Sequence, residues 1–215
     1  QVYRSDALAR LSWLEHAFGT RLISQPPAEA ASLQQIHSNK VIEANRSGGL
    51  GQADALVSNT AGLTLVVRTA DCVPLLMADM RNRAVAAVHA GWRGTVQGVV
   101  PATLRRMADL YGTRTEDVVV AIGPAIGVCC YEVGGEVAQQ FSGLFPERTD
   151  LNGTTRIDLS EAAVRQLGQN GVAPTHVGQI DAIGLCTRCL GDQFHSYRRD
   201  GEAAGRMFSW IRIRG

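Results

Sequence analysis

The chain has 215 residues, of which 45% are hydrophobic and 19% are charged, and its formal net charge at pH 7 is +1. This composition is typical of a globular protein with one domain or two small ones, and the low charge argues against a general nucleic-acid-binding protein. The sequence has no apolar run of transmembrane length, and its N-terminal QVYRSDALARL lacks the apolar core of a signal peptide, so we expect a cytoplasmic protein that does not bind membranes.

The five cysteines also favour a reducing compartment, because an odd number does not suit a disulfide framework. The sequence lacks GxxxxGK[ST], GxGxxG, HExxH and GxSxG, which are the defining motifs of P-loop, Rossmann, zincin and α/β-hydrolase proteins. It also lacks an internal repeat or a low-complexity linker. We therefore expect a single domain over residues 1–215.

Apolar runs predict three strands in the first half of the chain. They are LTLVV at 63–67, VPLLMA at 73–78 and AVAAVH at 84–89. The polar DMRNR between the last two runs is short enough to join them as a hairpin.

After Gly94 the apolar spacing becomes helical. The apolar positions at spacings of three and four, which predict one helix, are Val96, Val100, Leu104, Met107 and Tyr111. Pro101 either lies in the first turn of this helix or kinks it, because proline disrupts a helix interior.

The remaining predicted elements alternate irregularly. DVVVAI at 117–122 predicts a strand, residues 132–141 a short helix, and Ser160 the N-cap of a further helix. The last two predicted strands are 177–183 and 207–213. Strands and helices mixed in this way predict a layered α/β fold with mixed sheets.

Three residues with metal-binding or nucleophilic side chains lie at strand ends. His37 lies in QIHSNKV, Cys72 in RTADCVP and His89 in VHAGWRG. Each residue alone is better explained as part of the core, since free cysteine is among the most buried residue types.

Taken together, the three residues predict a metal site. Strand ends that meet at one edge of a sheet bring distant residues together, and two imidazoles with one thiolate suit zinc. Three protein ligands leave a coordination position open, which is typical of catalytic zinc. The same set also allows Cys72 to act as a nucleophile with His89 as its base.

Several arginines are candidates for binding an anion. The glycines on either side of Trp92 and Arg93 allow a tight turn, in which Arg93 either offers a bidentate fork to an anion or faces solvent. The C-terminal FHSYRRDGEAAGRMF places Arg198, Arg199 and Arg206 near aromatic residues, with the same two alternatives.

Among the other four cysteines, only one pair has the CxxC spacing that is typical of structural zinc sites. Cys186 and Cys189 form a CxxC pair, but a structural zinc site needs a second pair, and only the adjacent Cys129 and Cys130 remain. We expect no ligand role for this CxxC pair. His16 and His176 have no comparable neighbours in sequence, which favours core or surface roles.

Five blocks, in this order and spacing, resemble the YfiH family, long labelled the multicopper polyphenol oxidoreductase or laccase-domain family. They are QIHSNKV, ADALVSNTAGLTLVVRTADCVPLL, AAVHAGWRGTV, IGPAIGVCCYEVG and FHSYRRDGEAAGRM, and the resemblance runs from about His16 to the C-terminus. The resemblance implies a single-domain α/β/β/α layered fold and a zinc site of His37, Cys72 and His89. His195 departs from the family pattern, which usually has an aromatic residue there.

The resemblance also implies a choice of activities. Members are associated with phosphorolysis of adenosine, inosine and methylthioadenosine, with deamination of adenosine, with polyphenol oxidation and with editing of peptidoglycan precursors. Purine nucleosides and phosphate are therefore the expected partners. Five histidines are too few for a multicopper cluster, although the same three ligands could bind one copper ion.

Phosphorolysis needs an anion site beside the sugar. In a chain whose only lysine is Lys40, this task falls to Arg93, Arg68 or the C-terminal cluster with Arg206. The general acid or base stays open, and Asp54 and Asp71 are the carboxylates nearest in sequence to the predicted ligands. The sequence does not indicate the oligomeric state.

Overall fold

The computed structural model describes residues 1–179 and 185–215. Its strands are β1 (Val2–Tyr3), β2 (Leu14–Gly19), β3 (Ala31–Gln34), β4 (Val41–Glu43), β5 (Gly48–Gln52), β6 (Ala55–Ser58), β7 (Thr64–Thr69), β8 (Val73–Asp79), β9 (Ala84–Ala90), β10 (Val118–Ile122), β11 (Glu132–Val133), β12 (Thr155–Arg156), β13 (Val177–Gln179) and β14 (Met207–Ile213). Its α-helices are α1 (Asp6–Ala9), α2 (Trp92–Val96), α3 (Val99–Tyr111), α4 (Gly135–Ala138), α5 (Leu159–Gln169) and α6 (Tyr197–Asp200). Single 3₁₀ turns lie at Thr115–Asp117, Gln139–Phe141, Pro174–His176 and Gly201–Ala203.

Two six-stranded mixed sheets form the frame of the molecule. The first sheet has the order β1-β2-β14-β7-β3-β5, and the second has the order β13-β10-β8-β9-β6-β4. Within the first sheet β14 pairs antiparallel with β7, whereas β3 pairs parallel with β7. This arrangement confirms the predicted α/β fold with mixed sheets.

The second sheet is buried on both faces. On β8, Val73, Leu75 and Met77 belong to the core beneath helices α3 and α5, whereas Leu76 and Ala78 belong to the core shared with the first sheet. Successive residues of a strand point to opposite faces, so this alternation places the second sheet between the helices and the first sheet. The continuous apolar runs that predicted these strands follow from burial on both sides.

The predicted hairpin is confirmed. Strands β8 and β9 pair antiparallel from Val73 opposite Ala90 to Asp79 opposite Ala84. The buried Asp79 carboxylate organises the turn, because it accepts hydrogen bonds from the backbone N–H of Arg81 at 2.8 Å and of Asn82 at 2.9 Å.

The predicted single helix after Gly94 is wrong, because the structure has two helices there. Gly98 separates α2 from α3 with φ +80°, a left-handed conformation that glycine adopts without strain. Pro101 is the third residue of α3, so it lies in the first turn, where its missing N–H has no intrahelical partner to lose.

Two further boundaries differ from the prediction. The N-cap of α5 is Asp158 instead of Ser160, and its carboxylate accepts a hydrogen bond from the N–H of Glu161 at 2.9 Å. The segment 132–141 is a two-residue strand followed by α4 and a 3₁₀ turn, with Gly134 as the N-cap, instead of one helix.

The last strands were predicted at 177–183 and 207–213. The second is confirmed as β14, and the first begins as predicted at Val177 in β13, while residues 180–183 lie outside the described residues. Within the ranges 1–179 and 185–215, none of the helices has the length and hydropathy that crossing a bilayer requires.

Candidate active site

His37, Cys72 and His89 lie together at one end of the two sheets. His37 is in the loop before β4, Cys72 is in the turn between β7 and β8, and His89 is in β9. One potential ligand atom from each residue lies within 4.8 Å of the other two. The imidazole rings of His37 and His89 meet edge to face, with centroids 4.8 Å apart.

The fully buried Asp54 organises two of these residues. Its Oδ1 lies 2.8 Å from Nδ1 of His89 and accepts the backbone N–H of His37 at 3.0 Å. Its Oδ2 accepts the backbone N–H and the hydroxyl of Ser38 at 2.6 and 2.8 Å. The contact with Nδ1 orients the His89 ring so that Nε2 is available to a metal ion.

Both loops that carry ligands contain a non-glycine residue in the left-handed region. His37 has φ +58°, and Asp71, immediately before Cys72, has φ +85°. Such conformations cost free energy and persist where surrounding contacts impose them, often at functional sites. For the His37 loop, Asp54 supplies those contacts.

Asp71 has the same function in the Cys72 turn. Its Oδ1 accepts the hydroxyl of Thr187 at 2.6 Å, and its Oδ2 accepts the hydroxyl of Ser196 at 3.0 Å and the N–H of Arg198 at 2.6 Å. These hydrogen bonds hold the carboxylate. Both carboxylates that the sequence suggested as candidates for the general acid or base therefore contact loop backbone and buried side chains.

Gly91 allows the chain to pass closely over the ligands. A Cβ atom at this position would lie 2.6 Å from Nδ1 of His37 and 3.1 Å from Sγ of Cys72. The backbone conformation at Gly91, φ −75° and ψ 167°, is one that any residue adopts. Glycine is therefore required here for space and not for its conformational freedom.

The three side chains form a charged group. Burial raises the pKa of the Cys72 thiol, but the His89 and His37 imidazoles outweigh it and hold that pKa at about 6. Burial lowers the pKa of His89, but the Cys72 sulfur and the Asp54 carboxylate raise it to about 9. The thiolate form of Cys72 is therefore favoured at neutral pH, and a thiolate is the form that binds metal ions.

These residues open into a cavity of about 820 Å³. The lining residues are Gln35, His37, Arg68, Ala70, Asp71, Cys72, His89, Trp92, Arg93, Ile126, Tyr131, Leu159, Tyr197, Arg198, Ala204 and Arg206. The volume is within the range of ligand-binding pockets.

Four arginines face this cavity, namely Arg68, Arg93, Arg198 and Arg206. Among residues 1–179 and 185–215, no carboxylate lies within ion-pair distance of any of the four. The guanidinium of Arg93 stacks on the Trp92 ring at 4.4 Å, which holds its position and leaves its charge available to an anion.

The structure adds residues that the sequence analysis did not assign to the site. Tyr131 is buried at the cavity wall, where burial and the Cys72 sulfur raise the pKa of its hydroxyl above the usual range. The guanidinium of Arg198 lies 5.1 Å from its ring. Gln35 pairs with the backbone of Arg68 through two hydrogen bonds, at 2.7 and 2.8 Å. The signal in the sequence was the GPAIGVCCYEVG block, which carried Tyr131 without indicating its role.

Two residues singled out earlier lie apart from the cavity lining. The His195 ring packs directly against the backbone of Gly205. A Cβ atom added to Gly205 would lie only 2.5 Å from the imidazole. Arg199 donates to the carbonyl oxygens of Thr187 and Phe194 at 3.0 Å and pairs with Asp200 at 2.7 Å, so its charge serves the loop structure.

The structure brings the second cysteine pair next to the CxxC pair. Cys129 and Cys130 lie beside Cys186 and Cys189, with ligand atoms of all four within 4.8 Å of one another. The loop after β10 and the segment from residue 185 meet in space, although about 60 residues separate them in sequence.

The donor set of His37, Cys72 and His89 fits a metal ion. Two imidazole nitrogens and one thiolate are ligands for zinc or copper, and the Asp54 contact to His89 is the outer hydrogen bond usual for such histidines. The set is compatible with either metal.

Comparison with known proteins places this site in a family. The sequence profile of the multi-copper polyphenol oxidoreductase laccase family matches residues 14–214. A Bacteroides thetaiotaomicron protein named purine nucleoside phosphorylase is 38% identical over 207 residues, covering 89% of this chain and 76% of the relative. The Escherichia coli purine nucleoside phosphorylase YfiH is 36% identical over 186 residues, covering 86% of this chain and 74% of that protein.

A solved structure agrees with these relatives. The crystal structure of YlmD from Geobacillus stearothermophilus superposes with a TM-score of 0.86 at 25% identity, covering 95% of this chain and 93% of that protein. Since the profile spans almost the whole sequence and the fold is shared, the chain belongs to the multi-copper polyphenol oxidoreductase laccase family, whose YfiH-type members carry the name purine nucleoside phosphorylase.

Proposed function

We propose that this chain is a zinc-dependent purine nucleoside enzyme. It would cleave adenosine, inosine and methylthioadenosine with phosphate, and it would also deaminate adenosine to inosine. The names of the relatives support the phosphorylase part of this proposal. Catalysis would centre on Cys72 and His89, with His37, Cys72 and His89 as the metal ligands.

The observation that carries the proposal is the combination, in one cavity, of metal-binding residues and four arginines that form no ion pair with a carboxylate of residues 1–179 and 185–215. Arg68, Arg93 and Arg206, joined by Arg198, bring positive charge to the cavity that contains Cys72. An arginine offers two parallel N–H donors to a phosphate, and such charge-assisted hydrogen bonds are among the stronger ones in proteins. These arginines would form the anion site that phosphorolysis needs.

In phosphorolysis, a phosphate oxygen bonds to C1′ of the ribose while the bond from C1′ to the purine nitrogen breaks. The purine accepts a proton as it leaves. The arginines would hold the phosphate against the sugar, and Tyr131 would donate a hydrogen bond to the base, because its raised pKa keeps the hydroxyl protonated. The apolar side chains of Ile126 and Leu159 would contact the purine and exclude water.

Zinc held by two histidines and a cysteine would act as a Lewis acid at its remaining coordination position. Asp54 would keep the His89 ring in the orientation for binding, and Asp71 would keep Cys72 in place through its own turn. In deamination, water adds to C6 of adenosine and ammonia leaves, so the same cavity would serve both reactions with a different nucleophile.

Product analysis tests this proposal. Zinc-loaded protein with adenosine and phosphate should release adenine and ribose 1-phosphate, and with adenosine alone it should release inosine and ammonia. The Cys72→Ala variant should lose zinc at this site and both activities together. Zinc-replete protein that forms neither set of products would refute the proposal.

The geometry of Cys72 and His89 favours one alternative, a cysteine amidase that edits peptidoglycan precursors. A thiolate beside a protonated imidazole is the arrangement of a cysteine nucleophile and its partner. Hydrolysis of a muramyl peptide by metal-free protein, lost in Cys72→Ala, would support the amidase over the nucleoside enzyme.

The family name raises a copper-dependent polyphenol oxidase as the other alternative. Metal analysis of protein purified without added metal distinguishes the copper oxidase from the zinc-dependent nucleoside enzyme. One copper ion per chain at His37, Cys72 and His89 would favour the oxidase, whereas zinc at these residues favours the nucleoside enzyme.

A further inference from the structure

We propose that Cys129, Cys130, Cys186 and Cys189 bind a second, structural zinc ion. The Sγ atom of Cys130 lies 3.7 Å from that of Cys129 and 3.4 Å from that of Cys189, and the Cys129 and Cys189 sulfurs lie 3.9 Å apart. The Cys186 sulfur completes the group, with all four within 4.8 Å of one another.

These separations fit a tetrahedral zinc site. Zinc–sulfur bonds of about 2.3 Å in tetrahedral geometry place the sulfurs about 3.8 Å apart. A disulfide needs a sulfur–sulfur distance of about 2.05 Å, and all five cysteines are free thiols in the structure. A tetrahedral set of four sulfurs is diagnostic of zinc or an iron–sulfur cluster, and a single ion fits the compact spacing.

The surroundings suit bound thiolates. The backbone N–H of Gly127 points to the Cys186 sulfur, with nitrogen and sulfur 3.2 Å apart. Arg188 lies between the two cysteines of the CxxC pair in sequence and brings a positive charge close to the cluster. A hydrogen-bond donor and a cation beside the sulfurs offset the negative charge of four thiolates around one zinc ion.

The local fold explains why two adjacent cysteines contribute. Neighbouring residues of a strand point in opposite directions, but residues 128–130 form a turn in which the N–H of Cys130 bonds to the carbonyl of Gly127 at 2.9 Å. In this turn the Cys129 and Cys130 sulfurs lie on the same side. A Cβ atom on Gly127 would lie 3.2 Å from the Cys129 sulfur, so the loop passes close to the cluster.

The cluster would stabilise two parts of the cavity wall. Tyr131 directly follows Cys130, and Thr187 directly follows Cys186 and donates its hydroxyl to Asp71. The N–H of Thr187 also bonds to the carbonyl of Ala125 at 3.1 Å. Four protein ligands leave no position for a substrate, so this ion would hold the two segments together and would take no part in chemistry.

Counting metal ions in crossed variants tests the inference. The full chain, purified under reducing conditions without added metal, is compared as wild type, Cys72→Ala, Cys129→Ser/Cys189→Ser and the combined triple variant. We expect Cys72→Ala to keep one zinc ion per chain and the triple variant to have none. Cobalt-substituted Cys72→Ala should show intense sulfur-to-cobalt charge-transfer bands that the triple variant lacks.

A second measurement needs no change to the cluster. Titration of Cys72→Ala with a thiol reagent should release one zinc ion per four cysteines modified, and a chelator should lower its unfolding temperature. Metal-free Cys72→Ala with four freely reactive thiols would overturn the inference. Iron with acid-labile sulfide, or disulfides under reducing purification, would overturn it as well. These results do not depend on enzymatic activity, so they stand apart from the proposed function.

Discussion

At the residue scale, buried carboxylates and one glycine determine how the ligands meet. Asp54 accepts a hydrogen bond from the loop that carries His37, whose backbone is left-handed there. Asp71 is itself the left-handed residue of the Cys72 turn, and its carboxylate accepts hydrogen bonds from Thr187, Ser196 and Arg198. Gly91 then allows the following helix to begin directly above the sulfur of Cys72. These three residues are not predicted ligands, yet the ligand geometry depends on them.

Replacing Asp54 tests its role as a positioning residue. Asp54→Asn keeps the shape but removes the negative charge and one acceptor site, so metal affinity should fall by about 10- to 100-fold. Competition with a chromogenic zinc chelator measures the affinity. The matched control is Asp79→Asn, because Asp79 is another fully buried, multiply hydrogen-bonded carboxylate far from the cavity. Equal losses of affinity in the two variants would show that Asp54 acts only through stability.

Replacing Gly91 tests the need for space above the ligands. In Gly91→Ala the new methyl group would displace His37 or Cys72, so zinc affinity should fall at least about tenfold. Gly134→Ala is the control, since Gly134 also precedes a helix, has φ −71° and ψ 163°, and has no atoms within 4 Å of a Cβ. Calorimetric zinc titration of both variants gives the comparison, and an unchanged affinity in Gly91→Ala would contradict the close packing.

At the scale of elements, β2 meets the start of α1 through a buried histidine. The Nε2 atom of His16 accepts the N–H of Ser5 at 2.9 Å, and the ring is 3% exposed. Burial and the nearby Arg4 lower the pKa of His16 to about 4, compared with 6.5 in the unfolded chain. The folded protein therefore requires this imidazole to be neutral.

This contact predicts a pH dependence of stability. The unfolded state binds more protons between about pH 4 and 6.5, so the His16 contribution is fully present above pH 6.5 and decreases as the pH falls. From pH 7 to about pH 5 the wild type should lose about 2 kcal/mol more than His16→Gln, whose amide oxygen can still accept the Ser5 N–H. Urea unfolding of both proteins at the two pH values measures the difference. The metal ligands titrate in both proteins, so their contribution to the difference cancels. Equal losses of unfolding free energy in the wild type and in His16→Gln would refute the prediction.

At the scale of the whole molecule, the cavity joins segments from distant parts of the sequence. Arg68 belongs to β7, Arg93 to α2 and Arg206 to the segment before β14, and the three residues line one cavity only in the folded chain. The resulting concentration of positive charge is a property of the tertiary structure, since the net charge of the chain is only +1.

Removing Arg93 tests this anion site. Arg93→Ala should raise the KM for phosphate at least about tenfold and change the KM for the nucleoside much less, because one charge-assisted contact to the anion is lost. Arg105→Ala, which removes an exposed arginine of α3 outside the cavity, serves as the control. Steady-state kinetics at varied phosphate measures both constants. A phosphate KM that matches the control would remove Arg93 from the site.

Much of the frame was predictable from the sequence. Strands β7, β8, β9 and β14 are continuous or alternating apolar runs, and the resemblance named the three residues that the structure brings within 4.8 Å. A single helix was wrongly predicted after Gly94. The helical spacing of apolar residues continues across Gly98, whereas the helical backbone conformation is interrupted there. The cap at Asp158 was missed because Ser160 satisfies the same local rule.

The sequence by itself determined the strands with long apolar runs, the family and the chemical character of His37, Cys72 and His89, because these depend on sequence pattern and on side-chain type. Only the tertiary structure showed that Asp54 contacts His89 and the His37 loop, and that Asp71 contacts Thr187, Ser196 and Arg198. It also decided that Cys129 and Cys130 meet Cys186 and Cys189. Contacts between segments 60 or more residues apart depend on how the two sheets pack, and no local pattern of residues specifies that packing.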